Sequence, residues 1–328
     1  MNRRKFVTLL GGAAATWPLA AGAQQDQMRR VGALLSLAES DPEAKIWLGA
    51  FQGELQRLGW DQGRNIQVEY RLVGSDVGRM RTEAAQLVAL RPDVLFTSGS
   101  AALTALARET RSVPIVFVQV FDPVKLGLVE SLARPGGNIT GFVTIEVAFG
   151  GKWLELLKDT APSRSRVAVI LDPNNPSQAA HFQGIEAAAP SFGVNLTRAD
   201  VRNAAEIEHA ITAFAQQPNG ALIVAPNAVT ILHRDLIIAL AAQHRLPAIY
   251  PYRLFANSGG FISYGVDLPE RYRQAASYVS RILKGAKPGD LPVQLASKFE
   301  LVVNLKTAKT LGLTISESFL QQADEVIE

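Results

Sequence analysis

The residues of this chain best placed to do chemistry are polar groups that follow short apolar runs. Ser98-Gly99-Ser100-Ala101 comes directly after the β-rich run Val94 to Thr97 and opens an amphipathic stretch. A glycine at a strand-to-helix turn lets a ligand approach the backbone, and the hydroxyls and N–H groups beside it can hold a carboxylate. Ser100 has a second reading, as the cap of its own helix. Asp122-Pro123 and Asp172-Pro173 set a carboxylate after two further runs, where each aspartate either holds an ammonium group or serves as a turn or helix start. Ser36, Asn175, Asn227 and Asp267 occupy equivalent loop positions. Phe121, Tyr250 and Tyr252 offer rings that either stack on a flat ligand or fill core and rim.

Signals for catalysis are missing. The four histidines, His181, His209, His233 and His244, fall in helical patterns away from any nucleophile motif. There is no H-E-x-x-H, G-x-S-x-G, Walker A loop or G-x-G-x-x-G. Gly136-Gly137-Asn138 follows Pro135 and reads as a turn. Without cysteine there is neither a disulfide nor a thiolate, and no lipid-modified cysteine to tether the chain to a membrane. These features describe a binding protein with no catalytic residue, metal or cofactor; a carboxylate-based hydrolase is the enzymatic alternative.

The elements that must position these loops alternate in type. Apolar runs at Val31 to Leu37, Ile66 to Val73, Val94 to Thr97, Ile115 to Val120 and Ile139 to Val143 are separated by amphipathic stretches. In one of them Trp47, Phe51, Leu55 and Leu58 recur at helical spacing, and Gly59 ends the stripe. A second series starts after Gly150-Gly151, with runs at Val167 to Leu171, Val194 to Val201, Ala221 to Ala225, Ala248 to Tyr250 and Phe261 to Tyr264. Helices are expected over 176–190, 204–217, 228–244 and 268–285, then a strand over Phe299 to Val303 and two short helical segments. Strands that read as unbroken apolar runs between helices imply parallel sheets covered on both faces. The expected fold class is therefore α/β, with two doubly wound, Rossmann-like parallel-sheet lobes. Residues 28–143 plus 265–297 are assigned to one and 144–264 plus 298–328 to the other. In such sheets ligands bind beyond the carboxyl ends of the strands, which is where the polar loops lie.

The N-terminus carries an export pattern: Asn2-Arg3-Arg4-Lys5, an apolar stretch from Phe6 to Ala20, and Ala21-Gly22-Ala23 as a small-residue cleavage site. The mature chain is expected to begin at Gln24 and to reside in the periplasm; Arg3-Arg4 admits twin-arginine as well as general export. The full chain has 33 basic and 30 acidic residues, so losing Arg3, Arg4 and Lys5 brings the balance to zero. Nucleic-acid binding, which needs a basic face, gains no support.

Several segments together resemble one family. They are Gly59-Trp60 with Gly63-Arg64-Asn65-Ile66, Asp122-Pro123-Val124 onward to Ser131-Leu132-Ala133-Arg134-Pro135-Gly136-Gly137-Asn138-Ile139-Thr140-Gly141, and Lys298-Phe299-Glu300-Leu301-Val302-Val303-Asn304-Leu305-Lys306-Thr307-Ala308-Lys309. Leu311 to Ile315 and Ala323 to Glu328 continue the match, with Ser316 where the pattern has proline. The family is that of ABC transporter substrate-binding proteins that includes tryptophan and tyrosine receptors. The resemblance implies a type I periplasmic binding fold, with two lobes joined by three hinge strands that close on one ligand. It further implies a monomer that delivers an amino acid, aromatic in some members, to an inner-membrane permease and its ATPase. A sugar, nucleobase or small aromatic acid is the alternative ligand, and sensing the alternative to transport. Its site residues would be Ser36, Gly99, Ser100, Ala101, Phe121, Asp122, Asn175, Asn227, Tyr250 and Asp267, to which the Ser98 turn position is added.

Overall fold

The computed structural model describes residues 28–145 and 149–328. The export segment 1–23 lies outside them. A strand β1 (Arg29–Leu35) leads into α1 (Pro42–Arg57), followed by β2 (Ile66–Leu72), α2 (Val77–Ala89), β3 (Val94–Ser98), α3 (Ser100–Glu109), β4 (Ile115–Phe121) and β5 (Ile139–Ile145). These five strands form one parallel sheet in the order β2-β1-β3-β4-β5. Every residue of β3 is buried, as expected of a strand covered on both faces.

The second half runs α4 (Phe149–Thr160), β6 (Arg166–Leu171), α5 (Gln178–Ala188), β7 (Asn195–Asp200), α6 (Ala204–Ala215), β8 (Gly220–Val224), α7 (Ala228–Leu232), α8 (Arg234–Gln243), β9 (Ala248–Tyr250), α9 (Arg253–Asn257), β10 (Ile262–Gly265) and α10 (Leu268–Leu283). The tail adds β11 (Glu300–Asn304), α11 (Leu305–Thr310), α12 (Glu317–Leu320) and β12 (Glu325–Ile327). Seven strands pair in the order β12-β11-β10-β9-β8-β6-β7.

Three details differ from the sequence expectation. The helix expected over 228–244 is divided at His233, where α7 ends and α8 begins. The second sheet is not wholly parallel, because β11 runs antiparallel to β10. The last residues form β12 rather than helix. Asp324 accepts from the Leu301 N–H through its side chain and donates its own N–H back to the Leu301 carbonyl, drawing Glu325 to Ile327 alongside β11.

The chain passes from one sheet to the other between β5 and α4, between β10 and α10, and again in the tail. On this last passage the Val293 and Gln294 N–H groups donate to the carbonyls of Leu132 and Gly141, before Glu300 joins the second sheet. The helix α10 packs against α1 and the first sheet through aromatic contacts. Phe96 stacks on Phe51 at 4.3 Å between centroids and meets Tyr272 edge-on at 5.5 Å, and Trp47 tilts onto Tyr272. All four rings are buried, and they fix α10 so that the Tyr272 hydroxyl reaches the C-terminal edge of the first sheet. Among the described residues no helix is long and apolar enough to cross a membrane.

Candidate ligand-binding cleft

The C-terminal strand ends of both sheets open on one crevice. Its lining comes from the first sheet through Ser36, Ser98, Gly99, Ser100, Ala101 and Gln119, and from the second through Asp172, Asn174, Asn175, Pro226, Asn227 and Tyr252; Val77, Met80 and Ile231 add apolar wall. It encloses about 520 Å³ of empty space, part of it open to solvent. An inner recess shares Gln119, Asn175, Pro226 and Tyr252 with it and adds Phe121, Thr144 and His181. Outside this lining the two halves also meet where Arg234 Nη1 lies 2.9 Å from Asp41 Oδ2 and Lys125 Nζ donates to Gln183 Oε1 at 3.2 Å.

What the cleft can bind depends on which polar groups are already engaged. The helix α3 begins without a cap, because its N-cap residue is Gly99, held at φ +95° and lacking a side chain. Every other described helix of eight or more residues in the first sheet's layers starts from an aspartate whose carboxylate accepts a first-turn N–H: Asp41, Asp76 and Asp267. At α3 the Ser100 and Ala101 N–H groups have no partner among the described residues, leaving the positive end of the helix turned to the cleft. Ser36 Oγ lies beside it, buried and without a partner. The Ser100 hydroxyl does not cap the helix but accepts from the Phe121 N–H at 3.3 Å, which leaves its own hydrogen to donate.

The opposite wall is built differently. The Asn227 amide is fully engaged, accepting from Thr230 N–H as the cap of α7 and donating to Gln178 Oε1 and the Ala225 carbonyl. Gln178 in turn accepts from Asp172 N–H and donates to the Pro226 carbonyl, so one buried amide ties the ends of β6 and β8 together. Asn175 accepts from Ser177 through its oxygen and retains its Nδ2. Asp172 is the single charged side chain of the lining among the described residues. One of its oxygens accepts from Asn174 N–H. Burial pushes its carboxyl above the usual carboxylate range, against the pull of that hydrogen bond. Burial likewise pushes Tyr252 far up, with the Gln119 amide beside it, and brings His181 down to about 4. The His181 ring stands edge-on to Phe121 at 5.1 Å, a neutral wall of the inner recess.

Ser36, Ser98, Gly99, Ser100, Ala101, Asn175 and Asn227 are thus brought to the crevice, and Phe121 to its inner recess. Three others lie elsewhere. Tyr250 is 1% exposed and stacked on Phe255 in the core of the second sheet. Asp267 caps α10, accepting from Glu270 N–H, and Asp122 accepts from Lys125 N–H at a left-handed turn of φ +40°. In the sequence Asp172 and Tyr252 are weak candidates and Gln119, inside the apolar run Ile115 to Val120, carries no signal at all. Among the described residues no group of three or more His, Cys, Asp or Glu is placed to hold a metal ion.

Residues 33–327 match the family described as ABC transporter substrate binding protein. The chain belongs to this family. A tyrosine-binding protein of Clostridioides difficile is 24% identical over 259 residues, covering 79% of this chain and 74% of that one. A conserved domain protein of Vibrio cholerae superposes with a TM-score of 0.86 at 26% identity, over 92% of this chain and all of that one. An ABC domain from Streptococcus pneumonia in complex with L-Trp superposes at 0.85 with 24% identity over the same shares. The fold of this substrate-binding protein is thus the two-sheet type I periplasmic binding fold, and its family is one of binding rather than catalysis.

In this binding protein Gly99 has a double requirement, since its φ is closed to most side chains and an added Cβ would stand 2.8 Å from Ser36 Oγ. Gly99→Ala is expected to lower stability by about 1–3 kcal/mol, read by chemical denaturation. Unchanged stability would show that the turn relaxes without this conformation.

Proposed function

We propose that the protein captures an amino acid in this cleft, with the ligand carboxylate on the α3 N-terminus and its ammonium on Asp172. The observation that carries this reading is the sorting of unengaged groups. The first-sheet wall offers donors, namely the Ser100 and Ala101 N–H groups with the Ser36 and Ser100 hydroxyls. The second-sheet wall offers one carboxylate with an oxygen to spare. A zwitterion places an anion against the first and a cation against the second, and neither wall alone satisfies both charges. Val77, Met80, Ile231, Phe121 and Tyr252 leave an apolar surround for the side chain. The tyrosine- and L-Trp-binding relatives favour an aromatic one. The three crossings support a division into lobes of 28–143 plus 265–297 and 144–264 plus 298–328, with closure about them bringing the walls together. The protein then hands its ligand to a permease and ATPase, as a monomer and without chemical turnover.

The same reading places the protein in the periplasm, the compartment where such a receptor meets its ligand. The basic start, apolar stretch and Ala21-Gly22-Ala23 support export. Sequencing of the mature chain is expected to begin at Gln24 or an adjacent residue, and recovery of intact Met1 from the periplasm would contradict it.

Calorimetry with L-tryptophan and L-tyrosine tests the ligand directly. Binding is expected, with thermal stabilisation of about 2.7 kcal/mol at a hundredfold excess over Kd. Asp172→Asn is expected to weaken it by roughly 1.5–3 kcal/mol. The pH dependence has a defined sign. The ammonium needs Asp172 ionised, and burial raises the carboxyl of the empty site, so affinity falls as pH drops through that raised value and levels off above it. Failure of every amino acid to bind, or affinity indifferent to Asp172→Asn, would overturn the reading.

A further inference from the structure

Gln119 is held in an unusual state through both its backbone and its side chain. It lies within β4 yet has φ +56°, a left-handed conformation uncommon for a residue with a side chain and rare within a strand. The pairing of β4 with β5 shifts register around it, between Phe117 and Val120. Its N–H leaves the ladder and donates instead to Thr144 Oγ1 at 3.0 Å. The bulge turns the Gln119 side chain from the sheet into the cleft, where it lines both the outer crevice and the inner recess.

There the carboxamide is oriented by two hydroxyls. Ser98 Oγ donates to Gln119 Oε1 at 2.6 Å and Tyr272 Oη donates to the same oxygen at 3.2 Å. Ser98 and Tyr272 are both buried and adjacent, and the Gln119 oxygen accepts from both hydroxyls. A flipped amide would point its N–H groups at both oxygens and take away the acceptor that the two buried hydroxyls share. The oxygen is therefore committed inward, and Nε2, with the Tyr252 hydroxyl beside it, is the atom turned to the cleft.

We propose that Gln119 is a specificity-determining residue of the cleft, selecting a ligand end that only accepts hydrogen bonds, a free carboxylate, over one that also donates, a carboxamide. Ser98 and Tyr272 act through it as positioning residues. The proposal rests on the amino-acid reading above and adds to it the residue that rejects the amidated form.

The test titrates L-tryptophan, L-tyrosine and their primary amides into three proteins, with thermal unfolding as the control for folding. The unaltered protein is expected to prefer free acid over amide by on the order of 100-fold, since an amide hydrogen facing an N–H leaves both unpaired. Gln119→Glu keeps an acceptor for the two hydroxyls but removes the donors. Its preference is expected to collapse to about tenfold or less, or to invert, because its carboxylate repels the acid and accepts from the amide. The Ser98→Ala/Tyr272→Phe double variant leaves Gln119 in place and frees it to turn, so its preference should fall to an intermediate value. A folded Gln119→Glu protein, or a folded double variant, with an unchanged acid-to-amide ratio would overturn the proposal while leaving the amino-acid reading intact. Failure of the unaltered protein to bind either acid or amide would remove that reading, and the proposal with it.

Discussion

The arrangement turns on the uncapped N-terminus of α3. A helix start leaves N–H groups without intrahelical partners, and α1, α2 and α10 meet the need with an aspartate that accepts from the first turn. At α3 the cap residue is glycine, so the donors stay open and the space a side chain would fill is left to a ligand. Two buried strands hold this turn in place. The Gly99 N–H donates to the Val118 carbonyl of β4, and the Ser36 N–H at the end of β1 donates to the Ser98 carbonyl. The turn that carries the open donors is therefore part of the sheet and does not need a mobile loop to form.

The second wall supplies the opposite charge by a different device. Asp172 stands at the end of β6 in a site buried enough to raise its carboxyl, which disfavours the bare charge and favours a partner for it. Gln178 ties the Asp172 N–H and the Pro226 carbonyl, so the ends of β6 and β8 hold a common geometry. With donors on one sheet and an acceptor on the other, the two walls are complementary to the opposite ends of the zwitterion proposed above. The Asp41–Arg234 pair joins the same two bodies directly, and both side chains are largely buried in this arrangement.

Much of this was legible in the sequence because it rests on periodicity. The alternation of apolar runs with amphipathic stretches, with the strand expected in the tail, located eleven of the twelve strands to within a residue or two, all but β12. Ser98 to Ala101 stood out because serine and glycine after a buried run have few structural reasons to be there. The failures have physical causes. Gln119 was invisible because Val116-Phe117-Val118-Gln119-Val120-Phe121 reads as a plain strand, and nothing local announces a bulge or a positive φ. Tyr250 was misplaced because an aromatic at a strand end looks the same whether it faces the cleft or the core; here Phe255 and Gly260 hold it in the core. Asp267 and Asn227 show that a polar residue before a helix can be wholly engaged in capping while lying next to a site, as at Asn227, or outside it, as at Asp267.

The most direct measurement is a crystal structure of the protein with L-tryptophan or L-tyrosine bound. The account predicts carboxylate oxygens within hydrogen-bonding distance of the Ser100 and Ala101 N–H groups and the ammonium nitrogen on the Asp172 carboxylate. A ligand bound in the reverse sense, or outside the crevice between the two sheets, would contradict it.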